Sequence, residues 1–491
     1  MSLKDRTITG LKWSFTDNAV NQIIQFGIGL VLARILGPKE FGIIGMSMVF
    51  IAISETFVNS GLGSALIRKQ DCSEADYNTM FYTNIGLGLA AFGLVFLAAG
   101  SISRLFSNPD LLLLVRIMAL NLVISSFGMV ETAILTRNID FKRQTKITFI
   151  ASLSSGIIGI VLALTGFGYW SLAIRTLCQN LFRVLLLRFT SSWKPKLMYS
   201  VESFRELFGF GVKLLGAGVI DTVYKNVYKF VIGKYFSAAE LGYYSQATLF
   251  VELPSRNIEV ATQRVTYPVL ASMVGGEAKL KAVYKKMIRL SFYITGIVML
   301  LLIINAREIV LLFLGGKWAP AIPYIKILGI SGVIYPLLTL NLNMLNAQGR
   351  SDLFLRLEIY KKILIIPVII LGVRYGMLVL VWGIVFNSAI GYVLNSMYSA
   401  RLISYSSGEQ LLDIAPTLAQ LLIMAGLAFA AGMIAPQYLL LSLIIKTTVA
   451  LGFLFLTGRL LKIPEFTELS GIAAEQYRQH LLPLISKHKM A

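Results

Sequence analysis

Within GVIDTVYKNVYKFVIG (Gly218 to Gly233), Asp221, Lys225 and Lys229 recur every fourth residue in a run that is otherwise apolar. Residues four apart share one face of a helix, so together with Lys213 they draw a polar stripe along it. Comparable stripes are spelled by Glu252, Arg256, Glu259 and Gln263, by Arg175, Gln179 and Arg183, by Asp17, Asn21 and Gln25, and by Glu55 with Asn59. A charge at the centre of a bilayer costs at least about 2.5–3.5 kcal/mol, so such stripes must face a protein interior or a watery cavity. Arg and Lys there are suited to phosphate oxygens, Arg through a two-pronged fork and Lys as a point charge. The expected chemistry is recognition of an anion, with no catalytic residue, no cofactor and no metal. No DxD and no GxxxxGK[ST] occurs, and the only histidines are His480 and His488. Cys72 and Cys178 fall in separate predicted helices with no CxxC, which indicates neither a disulfide framework nor a metal site.

The elements that carry these stripes are set by composition. Of 491 residues, 56% are hydrophobic and 14% charged, and mean hydropathy is +0.72. That is a membrane protein's composition. The balance of 45 Lys plus Arg against 25 Asp plus Glu leaves a net charge of +20, which fits anionic headgroups or an anionic substrate and, in so apolar a chain, disfavours nucleic acid. Runs long enough to cross the hydrocarbon predict fourteen spans, at 10–36, 40–66, 79–101, 110–136, 147–166, 168–189, 205–234, 239–270, 287–306, 319–347, 357–373, 375–400, 411–432 and 437–459. The fold class expected is an all-α polytopic membrane protein. Lys4, Arg6 and Lys12 precede the first apolar run, but it continues to Leu36 without a cleavage pattern and reads as a permanent span.

Loops after even-numbered spans hold most of the Lys and Arg, among them Lys142, Arg143, Lys146 and Lys279 to Lys286, read as orientation signals on a solvated face. The positive-inside rule then places both termini in the cytoplasm. ARILGPKEFGIIGMSMVF (Ala33 to Phe50) aligns with GKYFSAAELGYYSQATLF (Gly233 to Phe250) at an offset of 200, and LVRIMAL with YIKILGI at 210, pairing Arg116 with Lys326. An even number of spans between copies predicts parallel repeats. The expected domains are a six-helix lobe at 1–200, a second at 201–403, two further spans at 404–462 and a cytoplasmic tail at 463–491. A polar chamber between the halves would account for the stripe at Lys225.

MSLKDRTITGLKWS, LARILGPKEFG, NSGLGSALIRK, LTRNIDFKRQTKI and FLGGKWAPAIPYIKIL resemble the Wzx-type polysaccharide flippases, especially the colanic-acid-exporter branch of the multidrug/oligosaccharidyl-lipid/polysaccharide exporter superfamily. The likeness covers roughly residues 1 to 400. It implies two six-helix lobes plus a final helix pair in a bacterial inner membrane. It also implies a cargo, an undecaprenyl-diphosphate-linked oligosaccharide carried from the inner to the outer leaflet for surface polysaccharide synthesis. Membrane lipids and polysaccharide-assembly proteins are the other expected partners.

With that cargo the expected ligands of the diphosphate or an acidic sugar are Lys225, Lys229, Arg256 and Arg175, with Arg116 and Lys326 nearer the outer side. Asp17, Glu55, Asp221, Glu252 and Glu259 are candidates for ion coupling or for ion pairs. Tyr224, Tyr228, Tyr243 and Tyr244 suit stacking on sugar faces or anchoring at the interface, the interfacial role being the favoured one, and spans 13 and 14, nearly free of charge, read as a cradle for the isoprenoid tail.

Each assignment has a structural rival. Arg116 and Lys326 can snorkel, and Asp221 with Lys225 and Glu252 with Arg256 can be scaffold ion pairs. GLGLAAFG (Gly86 to Gly93) reads as a close-packing site rather than a nucleotide loop. An ion-coupled drug exporter of the same superfamily is the alternative function. A membrane glycosyltransferase or polymerase is a weaker one, for want of a long outer loop with paired carboxylates.

Overall fold

The computed structural model describes residues 21–59, 61–69, 71–272 and 277–476, and all regular structure among them is helical. Asp17, the amino-terminal basic residues and both histidines lie outside that set. The chain divides into two compact units, Met1–Ser245 and Gln246–Ala491.

The first unit begins with α1 (Asn21–Ile35) and α2 (Pro38–Asn59). Gly61, at φ 68°, breaks the second predicted span and starts α3 (Leu62–Arg68). α4 (Glu74–Leu105) opens on a capping box in which Ser73 and Asp76 satisfy each other's backbone N–H. Cys72, expected in a helix, lies instead in the α3–α4 connection, its thiol donating to the carbonyls of Leu66 and Lys69, because the box starts α4 after it.

The fourth predicted span is broken into α5 (Asp110–Met118), α6 (Leu120–Ser126) and α7 (Met129–Arg137), with a 45° bend before α7. Ser125 and Ser126 donate their hydroxyls to the carbonyls of Leu122 and Val123, and the N–H groups of Phe127 and Gly128 reach back three residues rather than four. Side-chain competition for those carbonyls tightens the turn and bends the helix. α8 (Phe141–Leu164), capped by Asp140, pairs with α9 (Tyr169–Thr190).

α10 (Val201–Tyr235) packs on α2, α3 and α4. At 35 residues it runs about 52 Å, well beyond the hydrocarbon thickness. A core of Leu62, Leu66, Met80, Phe81, Val130 and Leu207 joins it to its neighbours. Gly88 of GLGLAAFG does pack closely, since a Cβ there would meet the Leu122 carbonyl and Ser126 at 2.9 Å, whereas Gly86 and Gly93 face open space.

α11 (Ala238–Ser272) begins in the first unit and continues into the second. The break between α10 and α11 repeats that between α1 and α2 residue for residue at the offset of 200. Leu36 N–H closes on Leu32 at 2.8 Å, and Phe236 N–H on Ile232 at 3.0 Å.

The second unit holds α12 (Glu277–Ile304), α13 (Ala306–Ile309) running into a π-turn at Val310–Leu314, α14 (Ala321–Ala347), α15 (Ser351–Tyr375), α16 (Met377–Ile403), α17 (Ser407–Gly432), α18 (Leu439–Leu460) and α19 (Pro464–Gln476). α14 packs between α12 and α16, and α17 between α12 and α18. Tyr284, Ile288, Phe292, Leu340, Met344, Leu421 and Met424 fill the space between them. Inside that core Asn341 and Gln410, both fully buried, exchange amide hydrogen bonds at 3.0 and 3.1 Å, and Ser399 donates to Asn341 as well.

Nine helices among the described residues are long and apolar enough to cross a membrane, and the bent α5–α7 segment makes a tenth candidate. Fourteen were expected. Helices also stand at the other four predicted positions, as α1, α9, α11 and α15, but α9 and α11 carry charged stripes, α15 carries Arg356, Glu358, Lys361 and Lys362 in its first half, and α1 is described for 15 residues.

Candidate functional site

On α10, Lys225 and Asp221 form an ion pair at 2.6 Å whose side chains remain 68% and 49% exposed. The pair is the i, i+4 geometry that the spacing dictates. One turn on, Lys229 is half-buried. The same helix is tied to α2 by a hydroxyl pair, Thr222 with Thr56 at 3.0 Å, so the charged face is held in a fixed rotation.

Deeper in the first unit the stripes of α1 and α9 meet. Arg175 donates to Gln25, Gln25 donates to Ser152 of α8 at 3.0 Å, and Gln179 donates to the same hydroxyl at 3.3 Å. Gly159 makes room for the arginine stem, since a Cβ there would lie 2.9 Å from that of Arg175. Arg175 Nε is buried and meets no acceptor among the described residues, leaving one donor for a ligand or a water. Asn180 donates to Asn121 at 3.2 Å, and Arg183 lies within electrostatic reach of Glu55. Arg116 instead stacks on Phe96 at 4.6 Å. Tyr244 is buried inside the protein and is no interfacial anchor, because α11 turns that face inward as it leaves the break.

In the second unit Arg256 and Glu252 are exposed on α11. Glu259 accepts from Gln263 at 2.9 Å and is hydrogen-bonded to Tyr335. Glu259 and Tyr335 border a hollow of about 10 Å³, no larger than one water, with Ser255 and Thr262. Lys326 is exposed on α14.

Two charged features escape the sequence reading. Lys446, in the nearly charge-free span 14, is buried and bonds Glu308 at 2.7 Å and the Ile304 carbonyl at 3.1 Å, with Ser442 donating to the same carboxylate. Gly432 provides the slot, since a Cβ would strike the lysine stem at 2.2 Å. A lone lysine in an apolar run is the signal, and it reads as a snorkelling residue until Glu308 is placed beside it.

The basic face of α12 is the second. Lys281 pairs with Glu409, Lys285 with Asp413, Arg289 with Glu465 and Lys286 with Glu468, so the cluster expected to be solvated ties α12 to α17 and α19. A matching tie in the first unit joins Lys69 to Asp76 at 3.0 Å and Glu206 at 2.8 Å, and the Glu206 carboxylate holds the ammonium above the usual lysine range.

The sequence model of the family described as "Polysaccharide biosynthesis protein" matches residues 31–323. The chain is similar to the lipopolysaccharide biosynthesis protein WzxC of Escherichia coli (strain K12), 26% identical over 409 residues and 81% of each chain. It is similar also to the teichuronic acid biosynthesis protein TuaB of Bacillus subtilis (strain 168), 23% identical over 354 residues, or 72% of this chain and 73% of that one. Among solved structures it resembles the lipid II flippase MurJ in an inward closed conformation, with a TM-score of 0.75 at 15% identity over 92% of this chain and 100% of that one. That likeness is one of fold.

Proposed function

The chain belongs to the polysaccharide biosynthesis protein family, and from that premise we propose that it carries an undecaprenyl-diphosphate-linked oligosaccharide from the inner to the outer leaflet of a bacterial inner membrane by alternating access. It is a multi-pass membrane transporter, not an enzyme. The observation that carries the reading is the exposed Asp221–Lys225 pair within an apolar helix long enough to span. Charges so placed need water or a polar ligand beside them.

The diphosphate is held by Lys225, Lys229, Arg256 and Arg175, with Arg116 and Lys326 nearer the outer surface, while the tail stays in lipid along the final helix pair. The lobes 1–200 and 201–403 serve as the two repeats, a division supported by the shared helix break at the offset of 200. Asp17, Glu55, Asp221, Glu252 and Glu259 are the candidate acids for coupling an ion or for ion pairs, and both termini face the cytoplasm.

Deletion of the gene tests the proposal. Lipid-linked oligosaccharide should accumulate facing the cytoplasm while surface polysaccharide falls, and both should recover on complementation. Normal surface polysaccharide together with an unchanged lipid-linked pool would overturn it, and loss of drug tolerance alone would point to the exporter alternative.

A further inference from the structure

The end of α18 opens onto a groove of about 850 Å³ that shares no residue with the proposed diphosphate site. Its walls carry Lys286 of α12, Arg459 of α18, Lys462 of the following turn and the Thr467 hydroxyl of α19. The groove's acid, Glu468, is already tied to Lys286 at 2.6 Å. Among the described residues neither Arg459 nor Lys462 takes part in an ion pair.

The geometry is fixed by the backbone. Lys462 closes α18 in the left-handed conformation at φ 50°, with Ile463 N–H returning to the Gly458 carbonyl at 3.1 Å. Phe466 then lies on Gly458, where a Cβ would meet its ring at 2.3 Å, and Arg289 grips Glu465 at 2.5 Å. Arg459 lies over Phe455 at 4.8 Å, and Phe455, Leu456 and Leu460 continue from it as an exposed apolar face.

We propose that this groove binds the headgroup of an anionic phospholipid from the surrounding membrane. Two unpaired cations at the end of an apolar span meet a phosphodiester where headgroups lie, and the exposed face beside them receives the acyl chains. The inference needs only that α18 spans the membrane, and stands whatever the cargo is.

The test titrates dioctanoyl phosphatidylglycerol into the detergent-solubilised full chain and reads the rise in melting temperature. Arg459→Gln should weaken the apparent affinity about fivefold and the double variant with Lys462→Gln about thirtyfold, as expected if each cation contributes about 1 kcal/mol near an anionic surface. Arg459→Lys should bind like the parent. Arg350→Gln with Arg356→Gln removes equal charge from elsewhere and should also leave binding unchanged. Equal affinity in the parent and the groove variant would overturn the proposal, as would the same rise with dioctanoyl phosphatidylcholine or with inorganic phosphate. If the glutamine variant does not fold, Lys462→Gly, which relaxes the strained turn and removes one cation, should melt no lower than the parent yet bind about fivefold more weakly.

Discussion

Gly42 and Gly242 face each other's helix starts reciprocally. A Cβ on Gly42 would fall 1.6 Å from the carbonyl oxygen of Ala238, and one on Gly242 would fall 2.0 Å from that of Pro38. Each obstacle is backbone and cannot rotate away. The crossing therefore obeys a local two-fold relation between α2 and the start of α11. Gly42→Ala and Gly242→Ala should each destabilise by about 1–3 kcal/mol or more. Because the two sites share one contact, the double variant should cost less than the sum of the singles. Melting temperatures of the three purified variants check this, and parental stability in both singles would refute the close approach.

Lys225 should matter to transport far more than to folding. An ion pair this exposed contributes less than about 1 kcal/mol, so Lys225→Gln should accumulate and melt like the parent. Export, measured as surface polysaccharide at matched protein level, should fall in the order Arg, Gln, Glu at position 225, since Glu sets a like charge beside both cargo and Asp221. Equal export by Gln and Arg would remove the electrostatic role. Rescue of Lys225→Gln by Asp221→Asn would assign the lysine to the scaffold.

The Glu308–Lys446 pair makes the opposite forecast. Both side chains are under a tenth exposed, so Lys446→Met strands a buried carboxylate and should cost about 3–5 kcal/mol. Adding Glu308→Gln should restore most of it. A double variant no more stable than the single would show that the lysine acts through its bond to the Ile304 carbonyl instead.

Cysteine scanning checks the orientation. With Cys72 and Cys178 replaced by serine, single cysteines near Lys142 and Lys281 should react only after the inner face is opened, and those near Gly168 and Lys317 should react from outside. Reversed reactivity at two of these positions would turn the chain over.

The parts of the fold legible in the sequence are those fixed by local terms. Long apolar runs foretell α4, α8, α16, α17 and α18, and the motif copies at an offset of 200 foretell the twin helix breaks. The α6–α7 bend is not legible, because it depends on which carbonyls two serine hydroxyls choose. The stripe on α10 yields its ion pair from spacing alone. The Arg175–Gln25–Ser152 network, by contrast, needs α1 brought against α8 and α9 from more than a hundred residues away, and Ser152 carries no signal of its own. Lys446 and Glu308 go unnoticed for the same reason: neither points to the other until the fold places them side by side.

Asn341 and Gln410 give the second unit a different kind of fastening. Their doubled amide bond is neutral and fully buried, so neither ionic strength nor acidity between the extremes loosens it, whereas the carboxylate ties near the start of α12 weaken as salt screens them. A slip of α17 by even part of a turn along α14 forfeits both bonds at once and leaves four amide valences without water. The two helices are thus geared in a single tooth position, and a transport cycle must shed its movement onto joints elsewhere.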